Sequence, residues 1–402
     1  MKKNNGIKKA GALAATALLS VSLFGCGTQA NQTSGSGSGS SKNVAQPSWY
    51  QEPSADQLKQ AQQDTITGVI LSSGPNGEKA FPADKIKITD QQLAKIKAGH
   101  YTAAISLHYS GSDWSQKQID GLKSEFEKMG ISIIAVTDAN FKNTQQASDL
   151  EAISAKKPNI LVSIPVDAKT EASAYKKLSD AGVKIVFMDQ PAVGMKAGKD
   201  YVSVVSADNF GNGMVAADEL AKAINNKGNV AVLYYASNFY VTNQRYEGFA
   251  ARLKAKYPDI HIVATEGFQD QNQTQTQASA LLTKQPNLQG LWVAWDTPTM
   301  GAVSAARIAG KNPNDFKIVT EDLGHEVALN MAQNGFVKGL GAQRPFDQGV
   351  AEAREAALAL IGGETHPYVA VPSVAVNRSN LPQSYQTVYH AAPPADVTNA
   401  LK

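Results

Sequence analysis

From His100 onward the chain alternates short apolar runs with longer amphipathic ones, and this rhythm admits few architectures. Tyr101–Leu107, Ile131–Thr137, Asn159–Ile164 and Val183–Asp189 read as strands, separated by helices over Ser115–Met129, Thr144–Lys156 and Ala168–Ala181. Short runs rich in apolar and β-branched residues, set between helices, are strands buried on both faces, and such strands pair in parallel. The rhythm resumes at Asn229–Tyr235, His261–Phe268, Gly290–Trp295, Phe316–Thr320 and Val337–Ala342. The expectation is an α/β chain of two Rossmann-like lobes, each a parallel sheet covered by helices on both faces.

The joint between the lobes falls in VKIVFMDQPAVGMKAGKDYVSVVSADNFGNG, Val183 to Gly213. One strand ends on Asp189 and so delivers a carboxylate to the edge of its sheet. A second strand, Tyr201–Val205, leads into Ser206-Ala207-Asp208-Asn209, which opens a helix, and Gly211 and Gly213 permit close backbone approach. Ligands of open parallel sheets lie outside the carboxyl ends of the strands. In the first half those ends carry His108-Tyr109-Ser110-Gly111-Ser112-Asp113-Trp114, Asp138, Pro165-Val166-Asp167 and Asp189-Gln190. In the second half they carry Ser237-Asn238-Phe239, Gln269-Asp270, Trp295-Asp296, Glu321-Asp322 and Gln343-Arg344. Aromatic rings mixed with carboxylates and amides suit a neutral, hydroxyl-rich molecule. An indole covers the C–H face of a sugar while Asp, Gln and Arg bond its hydroxyls. Trp114 lies in a polar Gly/Ser loop and Trp295 adjoins Asp296, which favours the cleft over the core for both. Ser112, Asp113, Asn238, Phe239, Gln269 and Asp296 are possible further contacts, whereas Asp167 reads as structural.

The start of the chain reads as an address. Lys2, Lys3, Lys8 and Lys9 precede an apolar run from Ala10 to Phe24 that ends at Gly25-Cys26. That run is too short to span a bilayer and gives residues 1–25 the layout of a secretory signal. Leu23-Phe24-Gly25-Cys26 resembles the bacterial lipobox, in which the Cys is lipidated. Cys26 is the only cysteine, so no intramolecular disulfide and no Cys-based metal site can form. Residues 26–48 form a Gly/Ser tether, whose stretch from Thr28 to Lys42 reaches about 23 Å at roughly 6 Å × √n. The formal charge of +3 becomes 3 − 4, about −1, once the four lysines are removed, which leaves no electrostatic case for nucleic acid. Residues 49–99 form an accessory segment expected to pack on the first lobe. It includes a short helix in ITDQQLAKIKAG, capped by Thr89 or Asp90 and stopped at Gly99.

Five motifs in order are MDQ at 188–190, SADNFGNGMVAADELA at 206–221, QRYEGF at 244–249, WDTPTMGAVSAARIAG at 295–310 and GAQRPFDQG at 341–349. Together they resemble the ribose/galactose-type periplasmic binding proteins, the substrate receptors of bacterial sugar ABC importers, from about Tyr101 to Tyr389. The resemblance implies the periplasmic binding protein type 1 fold, in which two lobes close over a sugar like a hinged trap. Three crossings are implied, near Ala207, near Gln343 and around Asn377. Lobe one would then hold residues 100–207 plus 344–377, and lobe two 208–343 plus 378–402. By the same resemblance Asp189, Arg245, Asp322 and Gln343 take sugar hydroxyls, and Trp114 supplies the stacking ring. Three positions depart from the pattern. The family's Asp-Arg pair is Asp189-Gln190, a frequent Asn is Trp295, and the polar residue before Pro165 is Ile164. A sugar or polyol site with altered hydroxyl preferences is therefore expected, with no metal, cofactor or catalytic group.

The implied protein is a monomeric, lipid-anchored receptor at the outer face of the cytoplasmic membrane, delivering its solute to an ABC permease. A receptor for a membrane signalling protein would use the same surfaces, and a nucleoside or autoinducer would fit the same fold. A glycosidase could be written across Asp189 and Asp322. Against it, the chain has no G-x-S-x-G, H-E-x-x-H or P-loop, and its six His are scattered. The lactose-repressor family shares the fold but needs a DNA-binding head where this chain has a signal peptide.

Overall fold

The computed structural model describes residues 44–402, so the expected signal peptide, Cys26 and most of the tether lie outside the described residues. The segment ahead of the first lobe contains α1 (Ala55–Gln60), β1 (Phe81–Pro82) and α2 (Asp90–Ala98). Both helices open on a reciprocal capping box, Ser54 with Gln57 and Thr89 with Gln92, so Thr89 is the cap of the second.

The first lobe follows as β2 (Thr102–Leu107), α3 (Asp113–Lys128), β3 (Ser132–Asp138), α4 (Asn143–Lys156), β4 (Ile160–Ser163), α5 (Ala172–Asp180), β5 (Lys184–Met188) and β6 (Ser203–Ala207). Helix α5 starts later than the expected Ala168, because Asp167 accepts the Lys169 and Thr170 backbone N–H groups in a local turn. That is the structural role read for Asp167. The second lobe runs α6 (Asn209–Ala223), β7 (Gly228–Tyr235), α7 (Tyr240–Lys256), β8 (Ile260–Phe268), α8 (Thr274–Lys284), β9 (Gly290–Val293), α9 (Asp296–Ile308), β10 (Lys317–Glu321), α10 (His325–Ala332) and β11 (Val337–Ala342). The chain then returns to the first lobe for α11 (Pro345–Leu360) and β12 (Tyr368–Val371). It ends in the second with β13 (Val374–Asn377), α12 (Leu381–Tyr389) and α13 (Ala395–Leu401).

The described residues form two sheets, ordered β1-β12-β6-β5-β4-β2-β3 and β13-β11-β10-β9-β7-β8. All pairs are parallel except β11 with β13. Within each lobe the first strand lies between the second and the third, so the order reverses beside β2 and beside β7. A crevice opens at such a reversal, outside the strands' carboxyl ends. Asp208 and Gln343-Arg344 make two of the crossings. The third lies at Pro372-Ser373 rather than around Asn377, because β13 already pairs with β11 of the second sheet.

The segment 49–99 does not pack on the first lobe alone; it straps both. Trp49 and Tyr50 pack on the second-lobe core, and Ala61 and Ile66 join Phe210, Met214 and Ala251 of that lobe. Arg252, fully buried, donates to the Ala61 and Gln63 carbonyls and to both oxygens of Asp218. Tyr240 donates to Ser73 and Gly74 of the strap. Beyond that turn the strap changes partner: β1 pairs with β12, and Ile86 and Ile96 enter the first-lobe core.

In the second lobe, α6 and α7 pack at backbone-to-backbone distance. A Cβ added at Gly213 would lie 1.9 Å from the Arg245 carbonyl, and one at Gly248 would lie 2.1 Å from the Phe210 carbonyl. Because both obstacles are backbone, α6 and α7 can accept no side chain there. Gly248→Ala is expected to destabilise by about 1–3 kcal/mol through forced helix separation, read as a lower urea midpoint. An unchanged midpoint would contradict this packing.

Candidate functional site

Two carboxylates define the site, one per lobe and built alike. Asp189 follows β5 with φ +61°, and Asp322 follows β10 with φ +66°. Each donates its N–H to the neighbouring strand, Asp189 to Val205 O at 2.9 Å and Asp322 to Gly341 O at 3.0 Å. The left-handed turn ends the strand and lifts the side chain into the crevice; Asp is among the few residues that tolerate it.

Asp322 is heavily engaged. Its Oδ2 accepts from Arg245 Nη1 at 3.0 Å, and its Oδ1 accepts from Gln343 Nε2 at 2.9 Å and from Arg245 Nη2 at 3.4 Å. Arg245 also donates to Asn209 Oδ1 at 3.0 Å and to Ala294 O at 3.1 Å, and its side chain is 4% exposed. Of five N–H groups, one remains for a ligand. Asp189 accepts a single protein bond, from Ser206 Oγ at 2.7 Å, and burial pushes its carboxyl up to about 6. Burial and the nearby Asp322 likewise raise Asp296, whose Oδ1 accepts from the Thr297 N–H.

The aromatic lining is richer than expected. Trp114 meets His108 edge-on, and both Trp114 Nε1 and His108 Nδ1 are buried without a protein partner. Burial lowers His108 to about 4, so its imidazole is neutral at pH 7. Across the cleft, Trp295 stands edge-on to Tyr235 and donates Nε1 to Gln271. Phe239 reaches over from the second lobe to pack against the first-lobe core.

These groups line one cavity of about 400 Å³. It brings together Trp114, Asp189, Arg245, Trp295, Asp322 and Gln343, and also Ser112, Phe239, Gln269 and Asp296. It does not include Gln190, Asp113 or Asn238. The left-handed turn at Asp189 carries Gln190 out of the lining, and Asn238 is occupied by the Asn243 amide at the start of α7. Asp113 instead bonds across the cleft, its Oδ2 accepting the His325 N–H at 2.7 Å. Sequence reasoning missed Phe141, Tyr235, Gln271, Asn272 and Thr297, and it left His108 and Tyr109 without a role. The signal for His108 and Tyr235 was present, since both stand at the carboxyl ends of first strands, where each sheet's order reverses.

Residues 103–365 match the family model described as periplasmic binding protein domain. The chain belongs to this family. A ribose import binding protein of Salmonella typhimurium is 25% identical over 192 residues, covering 48% of this chain. The chain spans 63% of that relative's length. Among solved structures, an ABC transporter solute-binding protein of Agrobacterium vitis bound with α-D-tagatopyranose superposes with a TM-score of 0.65 at 26% identity, over 72% of this chain and 99% of that one. One from Actinobacillus succinogenes with bound D-allose gives a TM-score of 0.62 at 26% identity, over 70% and 99%. The expected α/β type 1 fold is thereby confirmed for this member of the periplasmic binding protein family. Its strap precedes the matched region. Among the described residues no cluster of His, Cys, Asp and Glu could hold a metal ion, and no helix is long and apolar enough to cross a membrane.

Proposed function

We propose that the protein captures a sugar or polyol between its lobes and delivers it to an ABC permease, acting as a binding protein rather than an enzyme. The observation that carries this reading is the convergence of one strand-end carboxylate from each lobe on a single aromatic-lined cavity. Buried acids outnumber the single guanidinium, which disfavours anions, and Asp189 has acceptor capacity that no protein donor fills. Trp114 and Trp295 would cover the C–H faces of the ligand. Asp189, Asp296 and the remaining Arg245 N–H would bond its hydroxyls, and Gln343 would act at the crossing. The names of the tagatose- and allose-bound neighbours support a sugar.

A thermal-shift screen against sugars, polyols, nucleosides and charged solutes tests this, using protein unfolded and refolded to remove carried-over solute. A rise in melting temperature with one sugar is the expected result; a response confined to a nucleoside or a charged solute would overturn the assignment. Closure involves groups that touch no ligand. Asp113→Ala removes the bond to His325 and is expected to weaken sugar binding about two- to tenfold by calorimetry; unchanged affinity would remove Asp113 from closure. Anchoring through Cys26 follows from the lipobox-like sequence. Cys26→Ser is expected to shift the protein from the membrane fraction to the medium, and retention at the membrane would refute lipidation.

A further inference from the structure

The cavity has two unlike ends. Its polar end, Asp189 with Arg245, Asp322 and Gln343, lies beside the crossings. At the other end, Tyr109 and Phe141 stack with centroids 4.9 Å apart and planes at 16°. Phe141 is 45% exposed, one of the few large apolar side chains so placed among the described residues. Its position is built rather than incidental. Asn140 and Phe141 adopt φ +47° and +57°, a conformation uncommon for a bulky residue. Asp138 holds the loop in that shape, accepting the Asn140 N–H at 2.8 Å and the Ser110 hydroxyl at 2.6 Å. The Phe141 N–H donates to His108 O at 2.7 Å.

The sheet order sets the scale of the separation between the two ends. Asp189 follows β5 and Phe141 follows β3, and the intervening order is β5-β4-β2-β3. Three strand spacings amount to about 14 Å, more than one sugar ring covers. From the second lobe, Gln271 and Asn272 line the same cavity; Gln271 Oε1 accepts from Trp295 and Asn272 Nδ2 donates to Asp270, which leaves Gln271 Nε2 and Asn272 Oδ1 for a polar group of the ligand.

We propose that the cleft binds a two-ring ligand, a disaccharide or a glycoside with a ring-bearing aglycone, whose inner sugar meets Asp189 and whose outer ring lies on the Tyr109–Phe141 platform. This rests on the sugar-binding reading and narrows it. The neighbours bound to single sugars do not set this limit, because those ligands belong to their own clefts.

The test is calorimetry of the refolded protein with matched methyl and phenyl β-D-glycosides of glucose, galactose, allose, xylose, ribose and arabinose. For the sugar recognised, the phenyl glycoside is expected to bind at least about fivefold more tightly than the methyl glycoside, the size of one aromatic stacking contact. Phe141→Ala should bring that ratio below about 2, and Phe141→Trp should keep it; circular dichroism confirms that each variant is folded. Equal affinities in the parent protein, or a ratio indifferent to Phe141→Ala, would overturn the outer subsite while leaving sugar binding intact. Binding of neither glycoside of any sugar, with a response to a nucleoside or charged solute instead, would overturn both readings together.

Discussion

Asp208→Ala is expected to cost about 3–5 kcal/mol of stability and to release the strap from the hinge. Asp208 is fully buried at the first crossing, where it caps α6. Its Oδ1 accepts from the Ser72 N–H and hydroxyl, both at 2.8 Å, and from the Gly211 N–H at 3.0 Å; its Oδ2 accepts from the Leu71 N–H at 3.0 Å. Burial raises its pKa, and the four donors oppose that rise. Truncation leaves the buried Ser72 and Gly211 N–H groups and the part-buried Leu71 N–H without acceptors, each worth roughly 1–3 kcal/mol, in addition to a lost helix cap. The urea midpoint should fall, and limited proteolysis should begin to cut near Gly68. A loss below about 1 kcal/mol would mean that the strap is held by its apolar contacts alone.

Asp189→Asn is expected to act in opposite directions on the empty and the loaded protein. Its folded pKa of about 6 lies above the ordinary carboxyl value of 3.8, with burial as the largest cause. The folded state therefore keeps a proton that the unfolded chain has lost. The resulting contribution to stability is fully present below about pH 4, declines as pH rises, and is gone above about pH 6. At neutral pH the empty protein bears on the order of 3 kcal/mol for this buried anion. An amide of the same shape, in a residue that also tolerates the left-handed turn, removes most of that cost. The empty variant should melt higher than the parent at pH 7, with the difference vanishing near pH 4. Sugar affinity should drop at least about tenfold, since a charged acceptor is lost. A variant that melts lower at pH 7, or binds sugar as well as the parent, would remove Asp189 from the site.

The sheets were readable because strands buried on both faces carry continuous apolar runs, such as Ile160 to Val162 in β4 and Ile185 to Met188 in β5, that leave no polar alternation to confuse them. The residues in the cavity were partly readable, by the rule that ligands gather at strand ends. Where that rule failed, it failed on direction. Gln190 adjoins Asp189 in sequence, but the left-handed turn separates their side chains. Asp113 adjoins Trp114, yet one bonds the opposite lobe and the other lines the cavity. Phe141 was missed because its loop follows an edge strand and its conformation depends on Asp138, a residue that looks like any other turn acid. The strap was unreadable for a different reason. Its attachments are mostly backbone carbonyls and N–H groups meeting Arg252, Tyr240 and Asp208, and backbone groups carry no sequence signature. The third crossing was misplaced because YVAV and VAVN read as one run interrupted by Pro372-Ser373.

The strap adds a fourth link between lobes that the three crossings already join, and it does so without entering the cavity. Seen as a conformational equilibrium, a link attached to both lobes restricts the widely open forms and leaves the closed form undisturbed. The apparent dissociation constant of a trap is its intrinsic constant divided by the fraction already competent to bind. Raising that fraction in the empty protein tightens capture with no new contact to the ligand. The same restriction slows escape, because release requires the lobes to part against the strap. Residues far from the cavity would thus set the residence time of a bound solute, and a shorter or looser strap would trade affinity for turnover.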